Sequence, residues 1–344
     1  MTYAVHEDIT AAATLPGRFY CDAAAFEAMR ERVFGRTWQW LGDLADVAAP
    51  QSLSPRDLLP SFLDVPLLLS RDEAGMLRCL SNVCTHRGNI LVKAPCAAKQ
   101  IRCGYHSRRF DLAGRMTFMP EFAAAKDFPS ESDHLPQVAF GQWAGLAFAS
   151  LAPAAPLDAF IGDAREATAA LRLEGLRPDA SRSRDYEVRA HWALYVENFL
   201  EGFHIPFVHA GLNEVVDYGA YDTRVHRYSN VQLAQAKDGT PAAQYWWVFP
   251  NLMLNFYPWG LSLNLVQPLA IDRTRVLFRS FVRDAAQLET GAGASLDRVE
   301  AEDEAIVEAV QRGVRSPLYG RGRYSPTRER GVHHFHRLLV EFLG

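Results

Sequence analysis

The chain has 344 residues, of which 49% are hydrophobic, 22% charged and 11% aromatic, a composition that can fill the cores of about two globular domains. Its formal net charge of −4 leaves no basic excess, which argues against nucleic acid as a partner. An acidic N-terminus without a long apolar run, together with an odd number of cysteines (five), argues against secretion and favours a cytoplasmic setting in which thiols can serve as ligands.

The first half of the chain predicts one helix followed by a small β domain. Asp22 is placed to cap a helix over residues 23–34, within an N-terminal segment of residues 1–36. Short β-type runs punctuated by Gly and Pro follow, and they predict a domain over residues 37–150. An Ala/Pro-rich stretch at residues 152–156 then predicts a linker.

The second half mixes helices with longer strand-like runs, and we expect a domain over residues 151–344 on which residues 1–36 pack. Helices are expected at 157–171, at a central segment near residue 197, and at 296–311, with a short helix at the end of the chain. Strands are expected at 186–189, 221–233, 244–256, 261–268 and 275–283.

One uncharged stretch, residues 250–271, is long enough to cross a bilayer. It carries prolines and several amide side chains, which are poorly suited to a membrane span. Two strands at 252–256 and 261–266, joined by Tyr-Pro-Trp-Gly, explain the pattern better. We therefore predict a hairpin here and no membrane partner.

A first ligand motif combines two thiols and two imidazoles. Cys84 and His86 form Cys-x-His, and Cys103 and His106 form Cys-x-x-His sixteen residues further on. Ligation by two cysteines and two histidines, with both histidines on one iron, defines a Rieske [2Fe–2S] centre. A tetrahedral zinc site accepts the same ligand types, but zinc modules usually begin with two cysteines closely spaced. The spacing therefore favours the iron–sulfur cluster.

A second motif places one carboxylate and two histidines within nine residues. Glu201, His204 and His209 are spaced Glu-x-x-His-x₄-His. On a helix Glu201 and His204 share a face, and Glu197 adds a carboxylate one turn earlier. Pro206 disfavours helix at the residue before it, so a break there would let His209 swing back beside His204. Two imidazoles near a carboxylate predict a metal site.

Together the two motifs carry a family resemblance. The segments 84–88 (Cys-Thr-His-Arg-Gly) and 101–106 (Ile-Arg-Cys-Gly-Tyr-His), followed about a hundred residues later by Glu201, His204 and His209, resemble the Rieske non-haem iron oxygenases. The resemblance spans nearly the whole chain and has a specific motif order.

Several expectations follow from that resemblance. It implies an α+β chain in which a Rieske β-sandwich domain precedes a catalytic domain, whose antiparallel sheet wraps a long helix (a helix-grip fold) and which holds a mononuclear Fe(II). It implies a homotrimer, in which the cluster of one subunit lies beside the mononuclear iron of the next. It also implies that Glu201 bridges the two metals by contacting the neighbouring subunit's cluster ligand His106.

The mononuclear iron needs a carboxylate to complete a 2-His-1-carboxylate triad. Glu201 is one candidate, but the resemblance gives it the bridging role and places the third ligand on the C-terminal helix. Asp303 lies on that helix within an apolar stripe, while Glu302 and Glu304 point about 100° to either side. A carboxylate aimed at a core is costly unless it is paired or metal-bound, so Asp303 is the predicted ligand. The alternative is an Asp303 paired with a buried Arg or polar group. The predicted stripe consists of Val299, Ile306, Val307 and Val310.

Two departures from related motifs concern the cluster loops. Respiratory Rieske proteins carry extra disulfide-forming cysteines where this chain has Asn89 and Tyr105, so it resembles the disulfide-free kind found in oxygenases. Many oxygenases follow the second cluster histidine with Gly-Trp, and this chain has Ser107-Arg108 instead. The second departure keeps all four cluster ligands but changes residues of the docking surface beside the cluster.

The resemblance implies an O₂-dependent oxygenase component that receives electrons one at a time from a separate NAD(P)H-dependent reductase or ferredoxin. A Glu at position 201 and the C-terminal run Val310-Gln311-Arg312-Gly313 resemble the group acting on quaternary ammonium compounds, by hydroxylation, oxidative demethylation or C–N cleavage. Aromatic rings or aromatic acids are the runner-up substrates. A Rieske electron-transfer protein without catalysis is the alternative from another class. Aromatic faces suit cations, and the candidate pocket walls are Tyr245, Trp246, Trp247, Phe249, Phe256, Tyr257 and Trp259.

Overall fold

Contacts within the computed structural model divide the chain into two units. The structure describes residues 3–171, 173, 176–288, 290–294 and 296–344. Gly35–Ala154 form one unit, called here the β unit, and Met1–Phe34 with Ala155–Gly344 form the other, called the α+β unit. No helix in the described part of the chain combines the length and apolar character needed to cross a membrane.

Short antiparallel strands build the β unit. They form three sheets with the orders β1-β10-β9, β4-β3-β2-β5 and β6-β7-β8. The strands are β1 Gln39–Asp43, β2 Ser52–Leu58, β3 Val65–Arg71, β4 Leu77–Ser81, β5 Cys96–Ala97, β6 Ile101–Arg102, β7 Arg109–Phe110, β8 Met116–Phe118, β9 Ala139–Trp143 and β10 Leu146–Ser150.

Strand β3 shows why this unit needs an apolar run. Successive side chains of a strand point to opposite faces. Leu68 therefore packs into a core that also contains Cys84 and Cys103, while Leu67 and Leu69 pack into a second core on the other side. With both faces of its sheet covered, β3 has no solvent-facing side at its centre. Both predicted metal-binding thiols lie in a hydrophobic core.

A seven-stranded antiparallel sheet is the centre of the α+β unit. Its order is β11-β17-β16-β15-β14-β13-β12. The strands are β11 Arg177–Val188, β12 Asp222–Val225, β13 Ser229–Gln235, β14 Pro241–Val248, β15 Leu252–Tyr257, β16 Gly260–Ala270 and β17 Arg273–Val282. The helices are α1 Ala23–Arg32, α2 Leu157–Ala167, α3 Trp192–Phe199, α4 Ile205–Val208, α5 Ala210–Val215, α6 Leu296–Val314 and α7 Arg330–Leu343.

Several local predictions are confirmed. The Asp22 side chain accepts hydrogen bonds from the backbone N–H groups of Ala24 and Ala25 and caps α1. Residues 250–271 contain the predicted hairpin, in which Tyr257 pairs with Gly260. A Cβ at Gly260 would lie 2.2 Å from the carbonyl oxygen of Phe281, so only glycine fits where the chain enters β16. The α+β fold class is likewise confirmed.

Two of the predicted strands are in fact pairs of strands. The run 221–233 divides into β12 and β13, and the run 244–256 divides into β14 and β15. Pro250 lies at the second division and has no backbone N–H to donate to a neighbouring strand, so an uninterrupted strand there is disfavoured. The extra turns bring four strands, rather than two, into this part of the sheet.

Candidate metal centres and the adjoining cavity

The first predicted centre lies on two loops of the β unit. Cys84 follows β4 and Cys103 follows β6, and their thiols hydrogen-bond to each other. The imidazole rings of His86 and His106 face each other edge to face, with centroids 4.7 Å apart. Nδ1 of His86 is buried and has no hydrogen-bond partner among the described residues. A buried, unpartnered imidazole nitrogen calls for an explanation, and a bound metal supplies one, so these side chains fit a Rieske cluster.

Amide groups surround the thiol of Cys103. Its Sγ accepts hydrogen bonds from the backbone N–H of Tyr105 at 3.4 Å and from Nδ2 of Asn89 at 3.6 Å. Burial raises the pKa of the Cys103 thiol, but hydrogen bonds from the amides of Tyr105 and His106 outweigh it, so the pKa is lowered overall. A lowered pKa favours the thiolate, the form that binds metal. Asn89 and Tyr105 thus contribute hydrogen bonds to a thiol that is predicted to bind the cluster.

The Ser107-Arg108 departure has a structural role. Ser107 has a φ of 59°, the left-handed region that favours glycine. The buried Arg108 side chain donates to Oγ1 of Thr85 at 2.8 Å and to Oδ1 of Asp133 at 2.5 Å. The backbone carbonyl oxygen of Arg108 accepts a hydrogen bond from the backbone N–H of Cys103 at 2.8 Å. Because Thr85 lies between the first two predicted ligands, Arg108 ties the two cluster loops together.

The second predicted centre brings together His204, His209 and Asp303. One ligand atom from each lies within 4.8 Å of the others. Nε2 of His209 is 3.2 Å from Nε2 of His204 and 3.1 Å from Oδ1 of Asp303, and the remaining edge is 3.5 Å. Ligand atoms on one face of a coordination sphere, with bonds of about 2.1 Å, lie about 3.0–3.4 Å apart. The three side chains therefore fit one metal ion with open positions.

The chain around the two histidines corrects the helix prediction. A continuous helix through Glu201 and His204 is wrong, because α3 ends at Phe199, before Glu201. The Glu201 carboxylate accepts from the N–H groups of Phe203 and His204 and so caps the turn that follows. The predicted break at Ile205 is also wrong, since Pro206 lies in the first turn of α4, where its missing N–H has no helical partner to lose.

Each histidine is oriented by a carboxylate. Oε1 of Glu201 lies 2.7 Å from Nδ1 of His204, and Oε2 of Glu302 lies 2.7 Å from Nδ1 of His209. Such contacts fix the ring so that Nε2 remains free for the metal. Burial lowers the pKa of His209, but the hydrogen bonds and charges of Asp303 and Glu302 outweigh it and raise the pKa. Sequence reasoning missed this role of Glu302, which is 93 positions from its partner.

Asp303 faces inward, but not along the predicted stripe. Ile306 and Val310 are 40% and 42% exposed, so the stripe that contained them is wrong. Asp303 also accepts a hydrogen bond from Nδ2 of Asn198 at 2.7 Å. The side chains of α6 that are buried are those of Glu300, Val307, Gln311 and Val314.

A cavity of about 110 Å³ adjoins His204, His209 and Asp303. One wall is a cross-strand row on the sheet, in which Tyr245 pairs with Gln232 and Asn255, and Asn255 pairs with Ser262. Of the seven aromatics predicted as walls, only Tyr245 and Tyr257 line the cavity, while the other five are buried elsewhere, partly because neighbouring strand residues face opposite sides. Sequence reasoning missed four further aromatic walls: Tyr195, Phe199, Tyr221 and Phe278.

Two family profiles match the chain. The Rieske [2Fe-2S] domain profile matches residues 38–129, and the profile for the ring hydroxylating alpha subunit (catalytic domain) matches residues 218–344. Asp303 lies inside the second match, whereas His204 and His209 precede it. A match to a catalytic domain excludes the hypothesis of a Rieske protein that only transfers electrons.

Three similar proteins are monooxygenases or subunits of one. Chloroplastic choline monooxygenase of Arabidopsis thaliana is 28% identical, over 95% of this chain and 82% of that protein. The carnitine monooxygenase oxygenase subunit of Escherichia coli strain K12 is 29% identical, over 95% of this chain and 93% of its own. The crystal structure of the quaternary ammonium Rieske monooxygenase CntA with an inhibitor has a TM-score of 0.82 at 23% identity, covers both chains fully and shows the same fold.

Proposed function

We propose that this chain, which belongs to the Rieske oxygenase alpha subunits, hydroxylates a small quaternary ammonium compound. The observation that carries the proposal is the cavity beside His204, His209 and Asp303, which is lined by six aromatic side chains. Aromatic faces attract cations that cannot donate a hydrogen bond. Hydroxylation of an N-methyl group leads to loss of that methyl, so oxidative demethylation is included.

Seven side chains are proposed to hold the metals. Cys84, His86, Cys103 and His106 would bind the Rieske cluster, and His204, His209 and Asp303 would bind the mononuclear iron. When bound, the two centres supply stored electrons and activation of O₂ at open iron positions. Two observations support these roles: Nδ1 of His86 has no partner among the described residues, and the other three proposed ligands are separated by edges of 3.1–3.5 Å.

The remaining residues of the site orient and shield. Glu201 contacts Nδ1 of His204, and Glu302 contacts Nδ1 of His209, so each carboxylate fixes the proton on that ring nitrogen. Asn198 fixes a carboxylate oxygen of Asp303. The aromatic walls keep bulk water away from the reacting carbon and limit the substrate to a few heavy atoms. For scale, a cavity of roughly 150 Å³ binds benzene, and this one is about 110 Å³.

Electrons are proposed to enter through a subunit interface. Members of this family depend on a reductase, and we propose an NAD(P)H-dependent reductase or ferredoxin as the specific partner. In a homotrimer, Oε2 of Glu201, which already accepts from the backbone N–H groups of Phe203 and His204, would also meet the neighbouring subunit's cluster ligand His106. That path would join the two imidazoles through one acid and let an electron pass between subunits.

Turnover with a surrogate reductase tests the proposal. Purified holoenzyme, NADH and O₂ would be supplied with choline, glycine betaine, carnitine, benzoate and naphthalene in separate reactions, and products would be identified by mass spectrometry. We expect a hydroxylated or demethylated product from at least one quaternary ammonium compound and none from the arenes. Product from an arene alone, with O₂ uptake matching it, would contradict the proposed substrate class.

A further inference from the structure

A carboxylate with no assigned task lies in the wall of the cavity. Glu300 is one turn before Asp303 on α6 and is only 4% exposed. The hydroxyl of Tyr195 donates to its Oε2 at 2.7 Å. Its other oxygen, Oε1, is buried and has no hydrogen-bond partner in the described parts of the chain. The three metal-binding side chains form their group without it.

A buried carboxylate oxygen without a partner is unfavourable unless a cation comes to it. Burial raises the pKa of Glu300 to about 8, even though the Tyr195 hydroxyl acts in the opposite direction. This is the behaviour of an acid that lacks its counter-charge. The cavity is the space next to it, and it holds aromatic faces of the kind that surround organic cations.

The charges of the lining residues restrict what else the ligand can carry. Glu201, Glu300 and Asp303 are acidic, and no lining residue in the described part of the chain is Lys or Arg. A carboxylate on the ligand would therefore find no Lys or Arg side chain to pair with among the described lining residues, and it would lie near Glu201 and Glu300. On the sheet wall, Oδ1 of Asn255 is buried and unpartnered among the described residues, so it can accept a hydrogen bond from a hydroxyl group. An ionised carboxylate only accepts hydrogen bonds, so it cannot donate one to Oδ1 of Asn255.

We propose that Glu300 recognises the quaternary nitrogen of the substrate and that the cavity selects cationic alcohols or alkylammonium ions over zwitterions with a carboxylate. This inference rests on the proposed function and narrows its substrate class. Tyr195 acts as a positioning residue, because its hydroxyl holds Oε2 and leaves Oε1 without a partner among the described residues.

The test compares a cation with its neutral carbon analogue. Choline and 3,3-dimethyl-1-butanol have nearly the same shape and differ in charge. Their dissociation constants would be measured calorimetrically on wild-type holoenzyme and on Glu300→Gln. We expect wild type to bind choline at least about tenfold more tightly than the analogue and Glu300→Gln to lose most of that preference. Glycine betaine should bind wild type more weakly than choline does.

Glu304→Gln is the matched control, since Glu304 lies one turn further along α6 and does not line the cavity. It should keep the preference for choline. Iron and sulfide content would be measured in each variant. If Glu300→Gln does not fold, Glu300→Asp keeps the charge but retracts it, and we expect an intermediate loss of preference.

The possible failures are distinguishable. If wild type oxidises no quaternary ammonium compound, the proposed function falls. If wild type oxidises choline and Glu300→Gln keeps the full preference for the cation, the assignment of Glu300 is wrong while the function stands. If glycine betaine binds wild type as tightly as choline does, the exclusion of carboxylates is wrong.

Discussion

The two metal centres are built in different ways. The four cluster side chains lie within residues 84–106, on two neighbouring loops, and both thiols belong to one hydrophobic core. In the other centre, His209 and Asp303 are 94 positions apart and meet only because a long helix packs beside a broken one. The cluster site, called here the local centre, depends on the geometry of short loops. The site of His209 and Asp303, called the assembled centre, depends on carboxylates that connect distant parts of the chain. Mutations should therefore affect the two centres differently.

The largest effect is expected at the local centre. Replacing Cys103 by Ser removes one of the two thiolates proposed to bind the cluster, and a hydroxyl at the same place is a poor ligand for iron. We expect complete loss of the visible Rieske absorption. Cys96→Ser is the control, because Cys96 is exposed on β5. Loss of colour in the control, or its retention in Cys103→Ser, would refute the ligand assignment.

A comparably large loss, confined to the other centre, is expected for Asp303→Ala. Iron and sulfide analysis of the variant should show an intact cluster and the loss of the third iron per chain. Turnover assays should show no product. Glu302→Ala should be milder, with iron affinity weakened about 10- to 100-fold and partly restored by excess iron, because Glu302 only orients His209. If Asp303→Ala keeps iron and turnover while Glu302→Ala loses both, the ligand lies on the other face of the helix.

These two centres also show what sequence can predict. The spacing of Cys84, His86, Cys103 and His106 selects the cluster loops by itself, because ligands on short loops keep their sequence separation in space. Asp303 could be predicted to face inward only through a stripe that is partly exposed, since Ile306 and Val310 face outward. The helix prediction around His204 failed because Glu201 caps a turn through its side chain, an interaction that apolar periodicity does not report.

The cavity was hardest to predict. Tyr245 and Trp246 are adjacent aromatics in one strand, and only the first lines the cavity. Which of them does so depends on register, since a shift by one residue exchanges the two faces. A signal was nevertheless available in the hairpin of residues 250–271. Its polar residues Asn255, Ser262 and Asn264 all line the cavity, so they mark the face that is not a purely apolar core.

The link between the two centres is tested by Glu201→Gln. Glutamine keeps the size and can still accept from the N–H of His204, but it removes the negative charge that faces Nδ1. We expect both metal centres to be present and the cluster to be reducible, with product formation reduced at least about a hundredfold. Full activity in this variant would refute the bridge.

Mixed trimers sharpen that test. A Cys103→Ser chain should retain its mononuclear iron, and an Asp303→Ala chain should retain its cluster. Co-assembled, they should recover part of the activity that each lacks alone, because an intact cluster can face an intact iron across an interface. Inactive mixed trimers, with mixing verified by mass spectrometry, would show that the electron passes within one chain.

The smallest effect is expected for Arg108→Gln, which tests whether the local centre is held by more than its ligands. Arg108 is 1% exposed and joins Thr85 to Asp133, so its loss leaves buried partners unsatisfied at a cost of about 1–3 kcal/mol. The cluster should still assemble, but its visible absorption should disappear at a lower temperature than in wild type. The control is Arg115→Gln, whose ion pair with Asp111 involves an arginine side chain that is 72% exposed and should contribute less than about 1 kcal/mol. If both variants lose colour at the wild-type temperature, the buried arginine only fills space, and the two loops are held by the cluster itself.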